Sequence, residues 1–387
     1  MSTLNFRQFS KPEVLQQIDK KHLIDFFEPH AEYFLGRGLD VLAELGRKEP
    51  DYAEICRILI TSDDATPDDL AEALYYVNDV ASDDGAEVIL DYLDREPDLF
   101  IAEQNSTPAD LALQLWMVRP KLLKRISGNL LSVSKRSYDY FQTSRKTIPE
   151  FQEPSEEIIG ELESALDDWF FQKLKGRYSK VICTPRDDYV WFMIRHGKRY
   201  SRAAIIDGGD SKSYHFRPEK HDVVVYNPAN GELRINAEAK GEIRLYRSAF
   251  GSHIFGDSQF FDLSKQFNLD PIRTEGEDSI RYEDIDEFED VKLREVHIAL
   301  DGPFNDVKVL KSDDLFASMR HSGQALPTEG SITQIKFGVK FKNEARPKVV
   351  KITNANRAEY KCNEHAEAIE RWLNNRGFIV TGGDSGE

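Results

Sequence analysis

The sequence predicts an α+β protein: a helical N-terminal layer, then a mixed, largely antiparallel sheet region with flanking helices. Three observations carry this reading. Through the first third of the chain, apolar residues recur at intervals of three and four. Beyond residue 180 they form short β-branched or alternating runs ended by Gly, Pro and Asn. Helical spacing then returns at 155–174, 242–255 and 363–375, around those runs.

The helical layer begins at residues 11–46, where Val14, Ile18, Leu23, Phe26, Phe27, Tyr33, Phe34, Leu39, Leu42 and Leu45 keep the period and Pro29, Gly36 and Gly38 punctuate it. Residues 52–61 add Ile55, Ile58, Leu59 and Ile60. An internal echo follows. Thr66-Pro67-Asp-Asp69-Leu70-Ala71 recurs as Thr107-Pro108-Ala-Asp110-Leu111-Ala112, an offset of 41. Each reads as a helix start, with Thr as N-cap, Pro at the first helical position and Asp facing the positive dipole end. The offset is similar to the helix-pair period of HEAT and armadillo arrays. Two independently capped helices give the same pattern.

Residues 119–146 are basic, with Arg119, Lys121, Lys124, Arg125, Lys135, Arg136, Arg145 and Lys146 against Asp139 alone, and Tyr138, Tyr140 and Phe141 among them. Lys121, Lys124, Arg125, Lys135 and Arg136 are therefore candidate nucleic-acid contacts, with cations on phosphates and rings on bases. The alternative is a solvated helix face whose aromatics enter the core.

A helix over 155–174 opens with Ser155, Glu156 and Glu157, and buries Ile158, Ile159, Leu162, Leu166, Trp169, Phe170 and Leu174 before Gly176 ends it. Strands follow at Lys180–Thr184, Tyr189–Arg195 and Ala203–Asp207, with His196-Gly197-Lys198 as a turn. Basic residues are dense here, including Lys173, Lys175, Arg177, Lys198, Arg199 and Arg202.

Residues 218–240 read as two strands and a tight turn, and their chemistry depends on register. A three-residue loop Ala229–Gly231 sorts the apolar side chains best. It pairs Val223 with Ala237 and Asp222 with Glu238, with Lys240 next along. A four-residue loop from Pro228 sets Asp222 opposite Ala237 and away from Glu238. In the first register two carboxylates meet beside an ammonium, and adjacent carboxylates favour a shared proton or cation.

An acid on one strand and Glu-x-Lys on the next resembles the PD-(D/E)xK nuclease superfamily, here through Asp222, Glu238 and Lys240. The resemblance covers residues 218–240 only. It implies Asp222 and Glu238 as ligands of Mg²⁺ or Mn²⁺, Lys240 near the attacking water, and an acid from a preceding helix, for which Glu161 or Glu163 is placed. Read without the resemblance, Glu-x-Lys is an ordinary pair on an exposed strand face.

After the helical spacing of Glu242–Phe255, His221 and His253 are the histidines nearest the candidate site. Residues 274–290 hold nine acids against Arg281, which reads as a solvated linker. Strands at Val291–Asp301, Ser331–Lys342 and Lys348–Thr353 precede a helix over Asn363–Asn375, capped by Asn363, and a loose tail over Thr381–Glu387. The domain expectation is 1–148 all-helical, 155–273 with the Asp222 hairpin, and 291–380 as a C-terminal α+β region.

Net charge of −17 argues against indiscriminate nucleic-acid binding but allows a local basic groove. Cys56, Cys183 and Cys362 are far apart, giving neither a disulfide framework nor a zinc pattern, and a reducing, cytoplasmic setting follows. No apolar run has the length of a membrane span and no signal segment is visible, so no membrane partner is expected. No phosphate-binding loop, Gly-x-Ser-x-Gly or His-Glu-x-x-His motif is present. The functional expectation is an interaction or regulatory protein with a protein partner; the alternative is a metal-dependent nuclease using Asp222, Glu238 and Lys240.

Overall fold

The computed structural model describes residues 9, 11–61, 63–99, 106–133, 135, 137–186, 188–264, 266–300, 302–353, 356–360 and 365–380. The chain divides into two compact units between Leu131 and Ser132.

The first unit is helical. It runs through α1 (Pro12–Gln16), α2 (Lys20–Phe27), α3 (Ala31–Gly36), α4 (Val41–Leu45), α5 (Tyr52–Ile60), α6 (Asp68–Val80), α7 (Asp83–Arg95), α8 (Pro108–Val118) and α9 (Pro120–Val133). Helix starts are set by short acceptor side chains. Asp51 Oδ1 accepts from the Glu54 amide at 3.0 Å, and Ser82 Oγ from Gly85 at 3.1 Å. The two echoed starts differ in detail. Thr107 Oγ1 caps the Asp110 amide at 3.3 Å. Thr66 caps nothing: its Oγ1 accepts from the Asp63 amide at 2.9 Å and meets the Tyr33 hydroxyl at 3.1 Å, and α6 opens after Pro67. The inward stripes of these helices, among them Phe27, Phe34, Leu70, Leu74, Leu111 and Leu115, form one core.

The second unit opens with β1 (Ser137–Gln142) and α10 (Glu156–Gln172). The strands β2 (Lys180–Arg186), β3 (Tyr189–Gly197), β4 (Ser201–Asp207), β5 (Asp210–Phe216), β6 (Glu219–Asn227) and β7 (Glu232–Asn236) lead into α11 (Lys240–Phe255). After β8 (Leu263–Ser264), β9 (Gln266–Phe267) and α12 (Pro271–Thr274) come β10 (Phe288–Ala299), β11 (Val307–Lys311) and α13 (Leu315–Ser322). The described chain ends with β12 (Ser331–Phe341), β13 (Lys348–Thr353), β14 (Arg357–Glu359), α14 (Ala366–Asn375) and β15 (Ile379–Val380).

One large sheet runs β11-β10-β12-β13-β14-β1-β7-β6-β3-β2, with β8 also on β1. Every pairing among the described residues is antiparallel. Around β3, β6 and β7 its two faces are both buried. Val223, Val225, Leu293 and Phe337 enter one core with Trp372 of α14, while Phe192, Val224, Tyr226 and Ile235 enter another with Leu166 of α10 and Phe250 of α11.

This architecture corrects three expectations. The helical unit ends at Leu131, not at 148, because β1 is a central strand of the sheet, between β14 and β7. The regions 155–273 and 291–380 form one unit for the same reason: the C-terminal strands continue that sheet through β14 and β1. The acidic stretch 274–290 is docked rather than a solvated linker. Ile285 is buried, Arg371 pairs with Glu287 at 2.8 Å, and Arg376 and Arg320 pair with Asp284 and Glu277. The strand β5, after the Gly208–Gly209 turn, is an addition to the strands read from sequence. Cys362, the Asn363 cap and the tail from Thr381 lie outside the described residues.

Candidate functional site

The candidate site forms where β3 ends and β6 begins, beneath α10 and α11. Its starting point is the β6–β7 register. Asn227 faces Glu232 and Val223 faces Asn236, so the turn is the four-residue Pro228–Gly231. Asn227 Oδ1 accepts from the Ala229 amide at 2.9 Å and the Gly231 amide donates to Asn227 O at 2.9 Å. Gly231 takes the left-handed conformation at φ +66°, where a side chain is disfavoured.

The three-residue register is thereby overturned. Its basis was one apolar and one polar face, but both faces of this hairpin are buried, so alternation no longer selects the register. The face expected to be polar carries Val224 and Tyr226 in one core; the other carries Val223 and Val225 beside the buried Arg234. Arg234 is neutralised by Glu232 at 2.7 Å and by Glu370 at 2.7 Å.

Asp222 shares its face with Val224 and Tyr226, points toward α10 and α11, and is 1% exposed. Strand pairing stops at Asn236. Glu238 therefore lies past the ladder with its side chain 76% exposed, and Lys240 is an exposed residue opening α11. Asp222 and Glu238 do share an ammonium, but it belongs to Lys220, 3.1 Å from Asp222 Oδ1 and 3.6 Å from Glu238 Oε2. The charge of Lys240 acts instead on Asp139 of β1, whose carboxyl burial holds above the ordinary range against the pull of Arg357 and Lys240.

Around Asp222 the structure gathers residues that the sequence reading had not joined. Lys220 precedes Asp222 by two positions on β6 and is the cross-strand partner of His196 on β3. His196 Nε2 lies 3.0 Å from Asp222 Oδ2, and the Tyr246 hydroxyl donates to the same oxygen at 2.8 Å. Lys220 Nζ also donates to Glu242 Oε2 at 2.9 Å, and Lys175 pairs with Glu242 Oε1. Glu242 sits at the third position of α11 and accepts from the Ala239 amide at 3.1 Å, tying the cluster to the helix start. The His196 ring stacks on Phe170 of α10 at 4.1 Å. Its Nδ1 faces the Gly197 carbonyl at 3.1 Å, so both ring nitrogens face oxygen acceptors.

The electrostatics follow. Burial pushes the Asp222 carboxyl up, but the His196 hydrogen bond and the Lys220 charge outweigh it, and the net direction is down. Glu242 is likewise held down by Lys175 and Lys220 against its burial. Burial lowers Lys220, and the two carboxylates more than offset that, leaving it above its ordinary value. Tyr246 is driven far up, by burial first and then by Asp222, and stays a neutral donor.

His196, Asp222 and Glu242 each present one donor atom, all within 4.8 Å of one another. An N,O,O set suits a borderline transition metal better than Mg²⁺. The fit to a cation fails on Lys220, whose ammonium already bridges the two carboxylates. The signals for this cluster were short: Lys220-x-Asp222 on one strand face, and Glu242-x-x-x-Tyr246 on one helix face. His196 was hidden in a segment read as a turn, which the structure shows to be the end of β3.

The remaining sequence-derived residues fall elsewhere. Glu163 binds Lys180 at 2.7 Å and the Val181 amide at 2.9 Å, fastening α10 to β2, and Glu161 lies 3.8 Å from His253. His221 pairs with Glu219 at 3.1 Å, on the opposite strand face from Asp222. Lys121 is exposed on α9. Lys124 pairs with Glu72 at 2.6 Å and covers the Tyr76 and Trp116 rings, while Arg125 donates to the Tyr92 hydroxyl at 3.1 Å. Tyr138, Tyr140 and Phe141 are buried and offer no stacking surface. Lys135 is half-buried, and Arg136 lies outside the described residues.

Compared with protein-family models and with curated proteins, the chain matches none.

Proposed function

We propose that this chain is a non-catalytic interaction protein of the cytoplasm, and that the Asp222 cluster is a structural tie rather than an active centre. The observation that carries this reading is the internal neutralisation of both carboxylates. Asp222 accepts from Tyr246 and Lys220 and faces His196; Glu242 accepts from Lys175, Lys220 and the Ala239 amide. Each of these groups already has its partners, so the cluster presents no acid or base to a substrate. A reducing compartment is consistent with the free thiols Cys56 and Cys183, which burial first of all pushes up to about 11 and about 12, far from reactive thiolates. No helix among the described residues is long and apolar enough to cross a membrane.

The competing reading, metal-dependent phosphodiester hydrolysis, has the 4.8 Å triad of His196, Asp222 and Glu242 in its favour and requires Lys220 to leave it. The deciding experiment is degradation of DNA and RNA with Mg²⁺ or Mn²⁺ by wild type, Asp222→Asn, Glu242→Gln and Lys240→Ala. The binding reading expects no cleavage by any of them. Metal-dependent cleavage by wild type that disappears in Asp222→Asn and Glu242→Gln overturns it.

A further inference from the structure

Resting on that binding reading, we infer that the partner is single-stranded nucleic acid, held where the β4–β5 ribbon joins the end of α10. Charge is the first observation. Residues 173–221 hold twelve Lys or Arg against five Asp or Glu, a net +7 within a chain of −17. Lys173, Lys198, Arg199 and Arg202 are exposed, and no carboxylate pairs with them among the described residues. The acidic stretch 274–290, by contrast, is met by its own arginines.

The second observation is geometric. Among the described residues β4 and β5 pair only with each other, from Ser201↔Phe216 to Asp207↔Asp210, across a Gly208–Gly209 turn with φ of +61° and +87°. A two-stranded ribbon on its own is marginal in water. This one leaves Ile206 83% and Tyr214 58% exposed, which favours a covering partner.

The third is the junction at the ribbon's base. Arg217 donates to Leu174 O at 2.8 Å and to Lys198 O at 2.6 Å, and Arg199 donates to Lys173 O at 3.4 Å. These bonds bring Lys173, Lys198 and Arg199 onto one surface. Arg217 lies 5.9 Å from the Tyr178 ring and 5.8 Å from the Tyr200 ring, and those rings are 62% and 64% exposed. Exposed tyrosines among cations are what unpaired bases and their phosphates require. A duplex, whose bases are already stacked, would use the cations and leave the tyrosines idle.

The test is fluorescence anisotropy of the full chain with a labelled single-stranded oligonucleotide, in DNA and RNA form, against the same sequence as duplex. Wild type is expected to bind the single strand more tightly. About four phosphate contacts would weaken binding roughly 50-fold between 50 and 200 mM salt. Lys198→Glu with Arg199→Glu should cost at least about tenfold and flatten the salt slope, and Tyr200→Ala about tenfold with the slope kept. All three positions are exposed, so folding is retained and checked by circular dichroism. Equal affinity for duplex with no effect of Tyr200→Ala overturns the single-strand assignment. No binding without cleavage overturns this inference while the binding reading stands; degradation of the oligonucleotide in Mg²⁺ overturns the binding reading itself.

Discussion

Replacing Lys220 by Met removes an ammonium that touches both buried carboxylates, at 3.1 Å from Asp222 and 2.9 Å from Glu242. Met keeps much of the side-chain volume, so the change is electrostatic first. Lys175 still meets Glu242, and His196 and Tyr246 still meet Asp222, but each carboxylate then has one inward oxygen without its charged partner. Breaking a buried ion pair from one side costs about 3–5 kcal/mol, because the remaining charge stays buried. For a unit of this size that corresponds to a fall in Tm of about 6–20 °C. Thermal and urea denaturation of the full chain measure it, with Mg²⁺ or Mn²⁺ added in a second series. The carboxylates freed of Lys220 should now gain from the cation, so the variant's Tm should rise with metal where wild type's does not. A loss under about 1 kcal/mol would refute Lys220 as the internal counter-ion.

The same charges predict a pH profile. Asp222 and Glu242 are held below their ordinary 3.8 and 4.5, so their contribution is complete above about pH 5 and is lost as pH falls through the folded values. Lys220 is raised above 10.5, so its contribution is complete below that value and is lost as pH rises through the folded one. Urea midpoints across pH should show both declines in wild type and a weaker acid decline in Asp222→Asn; an unchanged acid decline would count against the assignment. Gly231→Ala places a Cβ 2.7 Å from Thr143 Cγ2 at a φ of +66° and should cost about 1–2 kcal/mol or more, measured by the same denaturation. A variant as stable as wild type would contradict the left-handed conformation of Gly231 and its close approach to Thr143.

Much of the architecture was legible because it is written locally. Helical spacing in the first third needs only a 3.6-residue period and punctuation by Gly and Pro, and Leu70, Leu74, Leu111 and Leu115 are buried as that period requires. The chain's α+β class was legible too. Asp222 was singled out as the acid to be paired with Glu238 and Lys240; it lies instead against His196, Lys220 and Tyr246. What it meets was decided by tertiary structure. Register is a one-residue choice, and a hairpin buried on both faces removes the polar–apolar contrast that would reveal it. The charge on Glu238 and Lys240 looked chemical because the two lie close in sequence, yet they fall past the end of the ladder and face water. The residues that close the cluster come from four separate stretches, through Lys175, His196, Lys220 and Glu242. Local propensity sets which segments become helices and strands; only packing α10 and α11 onto the sheet brings those distant charges within hydrogen-bonding distance, where burial makes each depend on the others.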